Sequence, residues 1–323
     1  MAKKIGLVGI YFPGAYDTLH ENVPEGFELV DALSPEAYGN LADCEYLISR
    51  LDIDPDIINH TPHVKFWQRW GAGFDHVDLK AWGERGIPIA TCPGVNSGIV
   101  AELAIMLMLA GYRNLLQINR QLLEGHFPRT EYFGRSFMIK GKTVGVLGLG
   151  HIGKKVAALV TAFGANVIYY DILRQPEQEE KFGYRFVDFD TLLEQSDIFT
   201  VHCPLNEETR GMISFEQFKK MKPSAMLINT ARGPIVDEAA MIDALTTGKI
   251  ATAGLDTYEH EPLPKDHPLL KLDNVVASAH AGGNTKDNDI NMVNYVYHNI
   301  VAFDRGEPLN TPGDIVNGEF LKK

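Results

Sequence analysis

Lys142-Thr143-Val144-Gly145-Val146-Leu147-Gly148-Leu149-Gly150-His151-Ile152-Gly153 runs an apolar segment into a G-x-G-x-x-G turn, and its reading decides the fold. The pattern predicts a strand over 144–148 and then a helix with Ile152, Val156, Val160 and Phe163 on one face. In such a turn Gly148 makes the tight bend, Gly150 lets the backbone approach a pyrophosphate, and Gly153 lets the helix pack close to the sheet. The helix N-terminus then faces the phosphates. A second strand over 166–170 ends in Asp171, eighteen residues after Gly153. An acid there binds both hydroxyls of an adenosine ribose and repels a 2′-phosphate, so the site is read as one for NAD rather than NADP.

Outward from this turn, from Gly141 on, apolar β-branched segments alternate with helical stretches, as parallel βαβ units require. Strands are expected over 144–148, 166–170, 198–203, 225–230, 252–256 and 275–280. Helices are expected over 188–195, 214–221 and 237–247, the last capped by Gly248. The first hundred residues repeat the alternation with strands over 4–8, 27–31, 46–49, 64–70 and 87–90. A long helix over 100–125 would carry the chain between the two parts, and a helix over 286–304 is followed by a polar tail. The expected fold class is therefore α/β with two Rossmann-like domains: a doubly wound NAD-binding parallel sheet and a smaller flavodoxin-like substrate domain. The boundaries expected are 103–285 for the NAD-binding domain and 1–102 with 286–323 for a discontinuous substrate-binding domain.

A chain of 323 residues suits two domains of ordinary size. Its net charge of −12, from 30 basic and 42 acidic residues, argues against nucleic-acid and anionic-membrane partners. Cys44, Cys92 and Cys203 offer neither a disulfide framework nor a zinc spacing, which points to a reducing cytoplasm. Lys3-Lys4 and the apolar run after it read as a first strand rather than a signal peptide. The apolar run 103–112 is about half the length of a transmembrane helix. His60-x-x-His63 has no evident Cys or carboxylate partner in the sequence, so no metal is expected.

In open α/β sheets ligands bind beyond the carboxyl ends of the strands. Those ends carry Arg232, Asp256 and His280, with Glu261 five residues past Asp256. Each has an ordinary structural role open to it: an ion pair, a cap, a loop charge, a core histidine. Together on one edge of a dinucleotide sheet they favour a site. Histidine suits proton transfer coupled to hydride transfer near neutral pH, and Glu261 on its other ring nitrogen would fix the tautomer. Arg232 can present a planar fork to a carboxylate, and Asp256 could hold the nicotinamide carboxamide or tune the local charge. A cation beside a nicotinamide implies an acid substrate, such as a 2-keto acid and its 2-hydroxy partner.

The ordered motifs resemble the D-isomer-specific 2-hydroxyacid dehydrogenase family over nearly the whole length. They are Trp70-Gly71-Ala72-Gly73-Phe74-Asp75-His76-Val77-Asp78, Pro93-Gly94-Val95-Asn96, Val100-Ala101-Glu102, Arg113-Asn114 and the glycine turn. Val201-His202-Cys203-Pro204-Leu205, Asn229-Thr230-Ala231-Arg232-Gly233, Gly254-Leu255-Asp256, Glu261-Pro262 and His280-Ala281-Gly282-Gly283-Asn284-Thr285 follow. The resemblance implies catalytic roles for Arg232, Glu261 and His280, and substrate-carboxylate binding by the amides of Ala72 and Gly73. It implies cofactor contacts at Gly148, Gly150, His151, Ile152, Gly153, Asp171, His202, Pro204, Thr209, Thr230 and Asp256. It also implies a homodimer joined through the helix over 100–125. Asn206 stands where the family often has threonine, Trp67-Gln68-Arg69-Trp70 is unusually bulky, and Thr311-Pro312-Gly313-Asp314 lengthens the tail connection.

The leading reading is an NAD-dependent enzyme interconverting a 2-keto acid and a D-2-hydroxy acid. A phosphoglycerate dehydrogenase is the neighbouring reading, with Arg50 and Arg69 available for a phosphate. Formate dehydrogenases usually carry glutamine where Glu261 stands. An NAD-sensing protein like the family's corepressors is the reading from a different class. Trp67, Trp70 and Phe74 fit either a bulky substrate or a core.

Overall fold

The structure is a computed structural model that describes residues 2–50, 53–75 and 77–321. His76 of the Trp70–Asp78 motif lies outside the described residues. The chain divides into two compact units, Met1–Asn96 with Asn284–Lys323, and Ser97–Gly283. Both seams fall a few residues before the positions read from the sequence, and the first falls where the helix Ser97–Tyr112 begins.

The first unit holds β1 (Lys3–Gly9), β2 (Phe27–Ala32), β3 (Tyr46–Arg50), β4 (Phe66–Arg69) and β5 (Ile89–Ala90). All pair in parallel in the order β2-β1-β3-β4-β5, the flavodoxin-like order. β3 and β4 are buried at every position, as expected of parallel strands covered on both faces. Trp67 belongs to this core: it is 2% exposed, its Nε1 donates to Ser49 Oγ at 2.6 Å, and its ring lies 4.6 Å from that of Trp82.

The helix Lys286–Arg305 packs Met292, Val293, Val296 and Ile300 into a second cluster, with Ile5, Ile48 and Phe66, separate from that of Trp67 and Trp82. The tail then returns to the sheet edge. Ile315 bridges Ala90 antiparallel, and Asn317 takes the Ile89 N–H while donating to Ile87 O. Asp314 is fully buried, where its carboxylate accepts from Tyr295 Oη at 2.8 Å and Asn299 Nδ2 at 2.9 Å. The unusual Thr311–Asp314 insertion is thus what seats the tail.

The second unit holds β6 (Thr143–Leu147), β7 (Asn166–Tyr170), β8 (Arg185–Phe186), β9 (Ile198–Val201), β10 (Met226–Asn229), β11 (Thr252–Leu255) and β12 (Val275–Ala277). They form one sheet in the order β12-β11-β10-β9-β6-β7-β8, doubly wound about β6 and β9. Six of these strands match those expected; β8 has two residues, too few to leave a periodic signal. Apolar clusters lie against both faces. Of the predicted helix face, Val156 and Val160 are buried, whereas Phe163 is exposed as the C-cap residue.

The single long helix expected over 100–125 is two helices, Ser97–Tyr112 and Leu115–Leu123, bent by 63°. The break is Asn114, which takes the left-handed conformation at φ 52°, one that asparagine tolerates better than most residues. No single helix among the described residues is long and apolar enough to cross a membrane.

Candidate active site

The glycine turn is built as its sequence requires. Gly148 has φ +89°, and a Cβ there would stand 2.7 Å from Cys203 N. A Cβ on Gly153 would stand 2.1 Å from Gly148 O, so the helix His151–Ala162 meets the turn backbone to backbone. At Gly150, by contrast, a Cβ would meet nothing within 4 Å. The space in front of the helix N-terminus is open, as a bound phosphate needs. His151 opens the helix exposed, and Ile152 is half-buried behind it.

Asp171 lies beside this turn, its Oδ2 taking the Leu149 N–H at 2.7 Å and its Oδ1 the Leu173 N–H at 3.2 Å. A carboxylate has about four acceptor positions, so two remain for ribose hydroxyls. Past β9, His202 is bonded through Nε2 to Thr200 Oγ1 at 2.8 Å, while its Nδ1 is buried without a partner. Burial pushes its imidazole down to about 3, so it is neutral at physiological pH. Thr230 Oγ1, past β10, is likewise buried and unpartnered. Two orphaned polar atoms on neighbouring strand ends, with an open glycine cradle and a carboxylate beside it, fit a dinucleotide. Thr209 Oγ1 donates to Pro204 O at 2.7 Å, and Asn206 Oδ1 takes the N–H groups of Glu208 and Thr209. The asparagine at 206 closes this turn.

Past the ends of β10, β11 and β12 the structure brings Glu261 and His280 together, with Arg232 near enough for its charge to act on Glu261. His280 Nδ1 meets Glu261 Oε2 at 2.7 Å. An ionised carboxylate only accepts, so the Nδ1 proton is donated to it, and Nε2 is the nitrogen left for chemistry. Burial raises the Glu261 carboxyl. The hydrogen bonds from His280 and the Tyr258 N–H, with the charges of His280 and Arg232, outweigh this and hold it below the usual range.

Each group is seated by a neighbour. Asn229 holds the Arg232 turn, donating to Arg232 O and taking the Ala231 N–H. A Cβ on Gly233 would stand 1.9 Å from Tyr258 C, so this glycine lets the Arg232 turn lie against the loop that carries Glu261. Asp256, 1% exposed, accepts from Ser278 Oγ, Ala281 N and Gly282 N at 2.6 to 2.9 Å. Its own carbonyl takes the His280 N–H, and His280 itself sits at φ 49°. Asp256 thus anchors the His280 loop. Beside the His280–Glu261 pair lies a cavity of about 600 Å³ with Leu263, Leu270 and Ala277 among its walls.

In the first unit, Ala72 and Gly73 lie on the loop past β4, where Gly71 O takes the Cys92 N–H. Arg50 and Arg69, ending β3 and β4, are 7% and 8% exposed. Arg50 donates to Ile10 O and Asn284 Oδ1 and stacks on Phe12 at 4.1 Å; among the described residues it has no carboxylate in ion-pair range. His60 Nε2 meets Asp56 at 2.9 Å, and no group of three metal-ligating side chains occurs among the described residues. Gly233 and Asn229 have no role legible in the sequence motif that holds them. The signal that could have found them is their place beside Arg232 at a strand end.

The family model for "D-isomer specific 2-hydroxyacid dehydrogenase, NAD binding domain" matches residues 105–282. A glyoxylate reductase of Korarchaeum cryptofilum is 38% identical over 284 residues, which are 87% of this chain and 85% of that protein. A D-3-phosphoglycerate dehydrogenase of Archaeoglobus fulgidus is 42% identical over 261 residues, 81% of this chain; the match spans about half, 49%, of that longer relative. The crystal structure of D-lactate dehydrogenase with NAD+ from Lactobacillus jensenii matches 97% of this chain and 99% of its own, with TM-score 0.80 and 29% identity.

Proposed function

This chain belongs to the D-isomer specific 2-hydroxyacid dehydrogenase family of NAD-binding oxidoreductases, and from that premise we propose that it interconverts a 2-keto acid and a D-2-hydroxy acid. The observation that carries the reading is the His280–Glu261 pair within the charge field of Arg232, on the carboxyl edge of a dinucleotide sheet. Bound NAD supplies the two-electron hydride chemistry. Gly148, Gly150, Gly153, His151 and Ile152 seat its pyrophosphate, Asp171 its ribose, and Pro204 and Thr209 flank the adenosine half. His202 and Thr230 offer their unpartnered atoms to the same molecule. Asp256 serves this site through the His280 loop it anchors.

Arg232 orients the substrate carboxylate and polarises the neighbouring carbonyl oxygen. His280 Nε2 gives that oxygen a proton in reduction and takes the hydroxyl proton in oxidation. Glu261 keeps the Nδ1 proton in place and stabilises the imidazolium when it forms. The amides of Ala72 and Gly73 bind the substrate carboxylate. The unit Met1–Asn96 with Asn284–Lys323 serves the substrate, and the unit Ser97–Gly283 serves the cofactor. A second copy of the chain covers the exposed Met106, Leu115, Leu116 and Leu123 of the two bent helices, giving a homodimer. Three free thiols, two of them buried, suit a cytoplasmic setting.

A second reading, a phosphorylated 2-keto acid, is favoured by one observation. Arg50 is a buried guanidinium whose hydrogen bonds among the described residues go to neutral acceptors, with the Asp289 charge acting on it from beyond ion-pair range, and the Tyr11 hydroxyl near it is buried without a partner among the described residues. NADH oxidation against pyruvate, glyoxylate, hydroxypyruvate, phenylpyruvate and 3-phosphohydroxypyruvate separates the two. A preference for the phosphorylated acid that Arg50→Gln abolishes selects the second reading. Turnover of an uncharged-chain acid that ignores Arg50→Gln removes it. Tight NADH binding with no turnover of any acid would overturn the enzyme reading in favour of an NAD-sensing protein.

A further inference from the structure

Glu261 sits on an exposed loop of the catalytic edge: residues 259–262 and 264–266 are all exposed. Upstream the loop is fixed by Tyr258, whose buried ring sends its hydroxyl to Ser278 O at 2.7 Å. Downstream, the fixing group comes from another strand connection. Glu238 opens the helix Glu238–Thr246, and its carboxylate accepts from His267 Nε2 at 3.0 Å on Oε1 and from the Glu259 N–H at 3.4 Å on Oε2. Glu259 and His267 lie on either side of Glu261.

The Glu238 and His267 side chains are only 13% and 15% exposed, unlike the solvated pairs that contribute little. Their geometry selects one arrangement of protons. His267 Nδ1 accepts the Leu269 N–H at 3.4 Å, which puts the ring proton on Nε2, where Glu238 receives it. The same ring thereby caps the short helix Pro268–Lys271 and ends the loop. Glu238 itself stands in the first turn of its helix, where a carboxylate is favoured.

We propose that Glu238, together with His267, is a positioning residue for the reaction: it holds both flanks of the exposed loop so that Glu261 meets His280. The proposal rests on the reading of Glu261 as the partner of the acid/base histidine. Its test is a double-mutant cycle in the full chain, reading kcat, its pH profile and NADH affinity for Glu238→Ala, Glu261→Ala and the two combined. Glu238→Ala should lower kcat roughly tenfold, within the range for coupled neighbours. It should also move the limb of the pH profile that reports the His280–Glu261 pair, with the NADH Kd within about twofold of wild type. In the Glu261→Ala background the same change should cost less than about twofold, because its target is gone. Glu238→Gln, which keeps an acceptor for His267, should recover most of the loss.

Equal losses in both backgrounds would make Glu238 a general structural residue and overturn the proposal. Unchanged kcat and pH profile in Glu238→Ala would do the same. Should that variant fail to fold, His267→Ala runs the identical cycle from the other end of the contact. Full turnover in Glu261→Ala alone overturns the underlying reading, and the proposal with it, and is told apart by that single variant.

Discussion

The carboxyl edge of the seven-stranded sheet has two halves that are built differently. At β6 and β7 the backbone itself makes the site: Gly148, Gly150 and Gly153 set the turn, and Asp171 reaches it from the adjacent strand. At β10, β11 and β12 the site is made of side chains on separate connections, each seated by another polar residue. Asn229 holds the Arg232 turn and Asp256 the His280 loop. A phosphate is recognised by N–H groups that any helix start can present, so a short run of glycines suffices. Proton transfer needs an imidazole and a carboxylate within hydrogen-bond distance, and strand ends bring them there only if their loops are pinned.

If the halves are separate in function as well as in construction, losing the imidazole should remove turnover and leave the cofactor in place. His280→Ala is expected to lower kcat by roughly 10²–10⁴. Its NADH Kd, measured by fluorescence titration, should stay within about twofold, well below the tenfold that 1.4 kcal/mol would produce. Near-normal turnover would take His280 out of the chemistry. A large loss of NADH affinity would show that the halves are not separable.

Within the cofactor half, two glycines of one motif should answer oppositely to the same added methyl. At Gly153 the Cβ meets the Gly148 carbonyl at 2.1 Å, and a backbone group cannot swing aside as the end of a flexible side chain would. Gly153→Ala should therefore destabilise the fold by about 3 kcal/mol, the upper part of the range for overpacking. Gly150 has φ −80° and open space before it, so Gly150→Ala should leave stability within about 0.5 kcal/mol. The methyl would stand where a phosphate approaches, and NADH affinity should fall about tenfold or more, near 1.4 kcal/mol. Urea melts and NADH titrations of both variants check this. Equal stability of the two would contradict the packing role given to Gly153.

The same contrast explains what the sequence shows. The glycine turn, Asp171 and six strands of the second sheet are legible because their signals are local: a motif of a few residues, or a run of β-branched positions. Arg232, Glu261 and His280 are legible as a list, from their places at strand ends. Their supports are not. Gly233 is needed because of Tyr258, a residue on the next strand connection, and the hold of Asp256 on Ser278, Ala281 and Gly282 joins strand ends that no local pattern links. The broken helix at Asn114 shows the same limit, since the apolar run continues on both sides of one left-handed residue. Asp314, unremarkable in a polar tail, is fully buried because Tyr295 and Asn299 of the preceding helix donate to its carboxylate.

His202 stands between the two halves, at the end of β9, and tests whether a polar group can be held there for a ligand at a cost to the apo fold. Burial keeps its imidazole neutral down to about pH 3, against an ordinary value of 6.5. Below about 6.5 the unfolded chain therefore takes up a proton that the folded chain refuses. The unfolded state binds more protons, so stability falls as pH falls, by up to about 1.4 kcal/mol per pH unit, until the folded group itself titrates. His202→Gln keeps a polar partner for Thr200 and does not titrate. The difference in unfolding free energy between wild type and variant, from urea melts at pH 7.5, 6.0, 5.0 and 4.5 (roughly spanning the window where the two states differ in proton uptake), should move in the variant's favour with each step down. Saturating NADH should reinforce wild type more than the variant, because the unpartnered Nδ1 gains its partner only with the ligand present. Parallel curves would mean that His202 is solvated in the folded protein, and the orphaned atom would then no longer mark the cofactor side of the edge.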